Sequence, residues 1–216
     1  MTAVVKKSRL LRSGVVTAAA TFLSRILGMV RDIAVAQLLG AGLTADVFFF
    51  ANRIPNFFRR LFAEGAFAQS FVPVLTKTSK EQSSSELKDL ISKAAGTLGL
   101  IVFCISLIGM LASPVVTAIF GWGWFEAYLN NEPDAAKFTQ ASYLLEITFP
   151  YLFFITLTAL CSSVLNVHGS FAIPAITPCL LNIVMIATAY FVAPNFEDPN
   201  EILAIGMVVG GVVQLV

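Results

Sequence analysis

At 216 residues, with 57% hydrophobic and 12% charged side chains and a mean hydropathy of +0.81, the chain lies outside the usual balance of a soluble domain and belongs in lipid. A formal net charge of +1 gives no ground for a nucleic-acid partner, and the near-equality of 14 basic and 13 acidic residues conceals an uneven placement along the chain. The expected fold class is all-α, a polytopic transmembrane helix bundle.

The first apolar stretch runs from near Gly14 to Leu39 behind a basic start that holds Lys6, Lys7, Arg9 and Arg12. It is too long for the h-region of a signal peptide and contains Arg25, Arg31 and Asp32, so it reads as a retained helix. Arg25 and Asp32 are seven residues apart, which returns them to nearly one face about 10 Å apart along the axis, with Arg31 on the flank. Ser24, Gly28 and Arg31 share a neighbouring stripe, and Gly28 leaves room for a partner helix or a ligand head. An internal Arg25–Asp32 ion pair is the alternative role for these charges.

The second stretch, Ala45 to Leu75, is interrupted by charge. Asn52, Asn56, Arg59 and Arg60 follow i, i+4, i+7, i+8 spacing and form one polar face, widened by Arg53. Glu64 stands four residues after Arg60, a salt-bridge spacing that would neutralise Arg60 and leave Arg59 for a ligand. Pro55 removes a backbone donor and can bend the segment, with Gly65 a second weak point. A juxtamembrane helix lying on anionic lipid is the alternative, disfavoured by Phe48 to Phe50, Phe57, Phe58 and Phe67, which leave little continuous polar surface.

Glu81 to Lys93 reads as a soluble connection, with Ser83 to Ser85 a flexible or capping stretch before the next helix. Three cleaner stretches follow, Ala94 to Phe120, Ala141 to Val167 and Phe171 to Ala193, and a sixth begins near Ile202, still apolar at Val216. About six spans are therefore expected, with the unfinished sixth implying that residues 1–216 form the N-terminal portion of one transmembrane transporter domain. Gly121 to Phe125, with Trp122 and Trp124, reads as an aromatic belt at the outer surface, and Pro150, Pro174 and Pro178 as candidate kinks.

Basic residues in the connections set the orientation. The four before the first span, together with Lys77, Lys80, Lys88 and Lys93 between the second and third, mark one side. The other side holds Lys137 alone among basic residues, with Glu126, Glu132, Asp134, Glu197, Asp198 and Glu201. The N-terminus is expected in the cytoplasm and the acidic loops outside. Cys104, Cys161 and Cys179 lack metal or disulfide spacing and read as apolar packing residues; His168, the sole histidine, reads as a solvent-facing turn residue. No metal or cofactor is expected.

Five arginines then remain inside the first two stretches: Arg25, Arg31, Arg53, Arg59 and Arg60. Each costs about 2.5 to 3.5 kcal/mol at the hydrocarbon centre, so together they imply a shared polar interior and an anion-handling cavity.

The run Arg25-x-x-Gly28-x-x-Arg31-Asp32, then Gly40-Ala41-Gly42, Asp46-x-Phe48, Pro55-Asn56-x-x-Arg59-Arg60-Leu61-Phe62-Ala63-Glu64-Gly65-Ala66 and Phe71-Val72-Pro73, resembles the MurJ (MviN) lipid II flippase family. Thr148-Phe149-Pro150-Tyr151, Leu165-Asn166 and Ile173-Pro174-Ala175 extend the resemblance over all 216 residues, at the N-terminal end of the family pattern. The resemblance implies a bacterial inner-membrane protein of the multidrug/oligosaccharidyl-lipid/polysaccharide exporter superfamily, with an alternating-access cycle around a cationic cavity. Its implied cargo is lipid II, a peptidoglycan precursor whose pyrophosphate suits guanidinium donors. Arg25, Arg31 and Arg59, with Asn56 beside them, are then the expected substrate-binding set. Asp32, Asp46, Arg53, Arg60 and Glu64 are the expected residues of cavity charge and gating, Asp46 at an outer gate. Membrane lipids are further implied partners, and a monovalent ion or the membrane potential is the candidate coupling force, although no ion-site motif stands out.

An exporter of drugs or other organic ions on the same fold would need coupling carboxylates deep in the spans, for which Glu146 is the only further candidate. A non-transporting scaffold would use the polar face to hold partner helices. An enzyme is the least supported reading, since no nucleophile, base or metal-ligand arrangement is present.

Overall fold

The computed structural model describes residues 2–61, 67–81 and 83–216, with the side chains of residues 2–13, 59, 67–69, 80 and 84 outside that description. Among the described residues every regular element is helical: α1 (Thr2–Leu39), α2 (Leu43–Arg59), α3 (Phe67–Glu81), α4 (Ser84–Leu111), α5 (Ser113–Phe120), α6 (Trp122–Leu129), α7 (Ala135–Thr148), α8 (Pro150–Val167), α9 (Ala172–Ala187) and α10 (Pro199–Leu215). The chain is an all-α transmembrane bundle. The six expected stretches correspond to α1, the α2/α3 pair, α4/α5, α7/α8, α9 and α10.

Where the sequence suggested unbroken spans, the structure breaks several, and each break has a local cause. The third stretch is interrupted at Ala112, immediately before Ser113 and Pro114 open α5. The fourth is interrupted at Phe149, because Pro150 cannot donate into the preceding turn and instead takes the first position of α8. Pro174 falls in the first turn of α9, where no intrahelical amide bond is forfeited, whereas Pro178 lies inside that helix. Beyond Ala187, α9 widens into a π-helical turn, Thr188–Val192, and tightens into a 3-10 turn, Ala193–Asn195.

The expected connection from Glu81 to Lys93 is mostly helix. Ser83 caps α4: its hydroxyl accepts from the Glu86 amide while the Glu86 carboxylate accepts from the Ser83 amide at 2.9 Å, a reciprocal capping box. Between α1 and α2, Gly40 adopts a φ of 67° and returns its amide to the Ala36 carbonyl at 3.0 Å, the left-handed helix ending that glycine adopts without steric cost.

Pro55, inside α2, leaves the Ala51 carbonyl without its usual amide partner. The buried Thr148 hydroxyl at the end of α7 fills the vacancy, donating to Ala51 O at 3.3 Å and sharing its hydrogen with Leu145 O. The proline that weakens α2 thus also creates an anchor between α2 and α7.

Four core clusters organise the described bundle, the smallest of them Ile54, Leu145 and Phe149 between α2 and the α7/α8 break. Phe48, Tyr151, Met185, Leu203 and Met207 pack α2, α8, α9 and α10 beneath α1; Leu75, Val102, Leu152 and Leu160 join α3, α4 and α8; Val47, Ala51, Ala141, Leu144 and Ala204 join α2, α7 and α10. Small residues bring backbones together where lipid removes the hydrophobic drive between helices. A Cβ on Gly206 would lie 2.7 Å from Thr188 Oγ1, and one on Gly211 would lie 2.8 Å from Tyr151 Cδ2. Outward, Leu100, Phe103, Ile108 and Leu111 of α4 and Ile119 of α5 leave an exposed apolar surface suited to lipid.

Among the described residues, Ser85–Leu111, Ala135–Val167 and Ala172–Asn195 are long and apolar enough to cross a membrane, with Pro199–Leu215 a shorter apolar helix. Only Cys179 is buried as a packing cysteine should be; Cys104 and Cys161 are exposed.

Candidate functional site: a cationic cavity between α1, α2 and α8 to α10

A cavity of about 660 Å³ opens where α1 and α2 meet α8, α9 and α10. Helical periodicity decides what reaches it. From α1 come Ser24, Gly28, Arg31 and Val35, a single stripe with Asp32 beside it; from α2 come Asn52, Arg53 and Asn56, with Arg60 at its C-terminal cap. Apolar side chains complete the wall, among them Phe48, Tyr151, Ile155, Met185 and Met207. Three arginines against one aspartate leave two net positive charges among the described lining side chains.

Arg31 is the best-defined cation. Its Nε and Nη2 donate to one oxygen, Asp32 Oδ1, at 3.0 and 2.8 Å, and its Nη1 donates to Asn182 Oδ1 at 3.0 Å. Asp32 therefore pairs with its chain neighbour Arg31, not with Arg25 seven residues earlier on nearly the same face, the ion pair that the spacing allowed. Asn56 Nδ2 donates to the Asn52 carbonyl at 2.8 Å and to Asn52 Oδ1 at 3.0 Å, tying the two amides into one polar strip on α2.

The other expected residues fall in different places. Arg25 is exposed and is not among the lining residues, because the stripe that faces the cavity is the one carrying Ser24 and Gly28. Arg53 and Arg60 line the cavity and are exposed. The Arg59 side chain and the whole of Glu64 lie outside the described residues, so the Arg60–Glu64 pairing does too. A Cβ on Gly28 would lie 3.8 Å from Asn182 Nδ2, an ordinary contact, so close approach does not demand glycine there.

Asp46 belongs to a separate cluster. At the start of α2 it accepts an ion pair from Lys137 Nζ at 3.2 Å, and Asp134 accepts a second at 3.3 Å. The lysine side chain is only 17% exposed and stands 5.9 Å over the Trp124 ring. The lone basic residue expected on that side thus ties α2 to the start of α7.

Two polar lining residues escaped the sequence reading: Asn182 on α9 and Gln214 on α10. Both are amides within apolar helices, and an amide interrupting such a run was the signal that could have found them. Asn182 Nδ2 donates to the Ser24 carbonyl at 3.1 Å; Gln214 Nε2 donates to the Thr177 carbonyl at 3.1 Å, while its buried Oε1 has no partner among the described residues. Glu146 is exposed and away from the lining, and His168 ends α8 with Nδ1 2.8 Å from the Val164 carbonyl.

Chemically, the cavity offers guanidinium and amide donors above an apolar floor. Such a surface matches a group with several anionic oxygens, because a planar guanidinium can engage two of them at once and low-dielectric walls strengthen the attraction.

A family model described as lipid II flippase MurJ matches residues 35–216. A protein named probable lipid II flippase MurJ from Vibrio cholerae serotype O1 is 56% identical over 98% of this chain and 40% of its own length. Its counterpart from Haemophilus influenzae is 54% identical over 90% of this chain and 38% of its own length. Among solved structures, lipid II flippase MurJ in an inward closed conformation superimposes with a TM-score of 0.75 and 29% identity, covering 93% of this chain and 40% of that one. The chain thus spans about two fifths of the length of the relatives it matches.

Proposed function

The chain belongs to the lipid II flippase MurJ family, and from that premise we propose that it forms the N-terminal part of a flippase carrying lipid-linked peptidoglycan precursor from the inner to the outer leaflet of the bacterial cytoplasmic membrane. The observation that carries the reading is the cavity itself, with Arg31, Arg53 and Arg60 converging from two helices on a space lined elsewhere by apolar side chains and amides. Its task is transport, not catalysis: the arginines hold the pyrophosphate while the prenyl tail remains in lipid, and alternating access moves the occupied site across the bilayer.

Release matters as much as capture. Asp32 already occupies two donors of Arg31 and so competes with the cargo, which keeps the site exchangeable. Arg25 and Arg59 belong to the proposed substrate-binding set, reaching the cargo as the cavity changes shape. The Asp46–Lys137 pair is the proposed outer closure. In this reading the N-terminus is cytoplasmic, and the membrane potential or a monovalent ion drives the cycle.

Complementation of flippase depletion with the full-length gene tests the proposal, scoring lipid II on the outer face at matched membrane abundance. Wild type should restore exposure, and Arg31→Ala and Arg59→Ala should not. A well-inserted wild type that restores nothing would remove the flippase reading; equal rescue by an arginine variant would remove that arginine from the cargo site.

A further inference from the structure

We propose that Asn182 is a positioning residue that aims Arg31 into the cavity and sets how many of its donors remain for an anionic headgroup. The inference rests on the reading of the cavity as a pyrophosphate site. Asn182 lies on α9, far from Arg31 in sequence, and is only 5% exposed. Its two amide atoms do different work: Oδ1 accepts from Arg31 Nη1 at 3.0 Å and Nδ2 donates to the Ser24 carbonyl at 3.1 Å. Only one orientation of the amide satisfies a donor and a carbonyl together, so the side chain is locked between α1's backbone and its arginine.

A guanidinium carries five N–H donors. Asp32 engages two of those on Arg31 and Asn182 a third, leaving two for cargo among the described residues. The neutral acceptor holds the arginine without cancelling its charge. Aspartate at the same position would supply a second anion to Arg31 and would face the Ser24 carbonyl with an oxygen in place of a donor. Leucine would remove both contacts and release the guanidinium to collapse onto Asp32, since a long side chain held by fewer bonds regains rotamer freedom.

The test uses the full-length protein in lipid nanodiscs with undecaprenyl pyrophosphate as probe and undecaprenol as the uncharged control. Wild type, Asn182→Leu, Asn182→Asp, Arg31→Ala and the Arg31→Ala combinations with each Asn182 variant are compared for affinity and thermal midpoint. Asn182→Leu should weaken pyrophosphate binding roughly tenfold, the worth of one hydrogen bond to a charged group, and Asn182→Asp at least as much. Undecaprenol binding should not change. In the Arg31→Ala background neither Asn182 variant should cost anything further, a non-additivity that a purely structural role would not produce.

Equal losses in both backgrounds, or wild-type affinity in both Asn182 variants, would overturn the proposal. If Asn182→Leu fails to fold, Asn182→Asp, which keeps size and shape, decides by the same criterion. A wild type that binds pyrophosphate through Arg31 yet is indifferent to Asn182 sinks this inference alone, whereas a wild type that does not distinguish pyrophosphate from undecaprenol, with or without Arg31, sinks the cavity reading and this inference with it.

Discussion

Lys137 shows how a single side chain can tie two helices at the end of a bundle. Its ammonium meets Asp46 at 3.2 Å and Asp134 at 3.3 Å while its stem is largely covered. Lys137→Met removes both ion pairs and should lower the unfolding midpoint measurably. Asp46→Asn should cost less, because Asp134 remains. If the two act as one latch, the double variant should lose no more than Lys137→Met alone, which chemical unfolding in detergent can read. Thr148 carries a different burden, since its hydroxyl serves the carbonyl that Pro55 leaves unmatched. Thr148→Val keeps the shape and removes the donor, and should destabilise by about 1 to 3 kcal/mol, the cost of an unsatisfied buried polar group. If Thr148→Val shows an unchanged unfolding midpoint, that anchor has no energetic weight.

At the scale of elements, the helices are short where proline dictates and close where glycine permits. The Gly109 position on α4 faces the Phe149 ring at the break between α7 and α8, and any Cβ there would run into that ring. Gly109→Ala should therefore destabilise by about 1 to 3 kcal/mol through overpacking, while Gly28→Ala, whose Cβ would meet only ordinary contact, should raise the unfolding midpoint slightly. Comparing the two separates packing from helix propensity, because alanine favours both helices equally. The start of α4 offers a control away from the cavity: Ser83→Ala breaks the capping box and should cost about 1 kcal/mol, with transport retained.

At the scale of the molecule, the apolar exterior of α4 and α5 suits lipid, and the charged interior between α1 and α2 is the side that the proposed function gives to cargo. The proposed orientation follows from the basic residues, eight of which gather on one side while the other holds Lys137 alone. Single cysteines at positions 88 and 132, both exposed, check it in a cysteine-free full-length background. An impermeant thiol reagent applied to intact cells with a permeabilised outer membrane should label position 132 and spare position 88 until the inner membrane is opened. Labelling in the reverse order would invert the topology.

The residues themselves determined the class of molecule. Stretches of apolar side chains must become helices in lipid, because each backbone amide and carbonyl needs a partner within its own segment. Arginines inside those stretches then require a shared polar interior, and the motif around Arg25, Arg31 and Arg59 pointed to the family without any coordinates. Local periodicity reached as far as the polar strip of α2, since i, i+4 neighbours are fixed by the helix alone. It stopped at contacts between helices. Which stripe of α1 faces inward, so that Arg31 lines the cavity and Arg25 does not, depends on how α1 packs against α9. The Asn182 amide, 151 residues from Arg31, and Lys137 beside Asp46 were equally illegible, because a hydrogen bond or ion pair across such a separation exists only once the bundle has closed. Spacing along one helix is set by the backbone, whereas the rotation of that helix against its neighbours is set by the packing of the whole bundle.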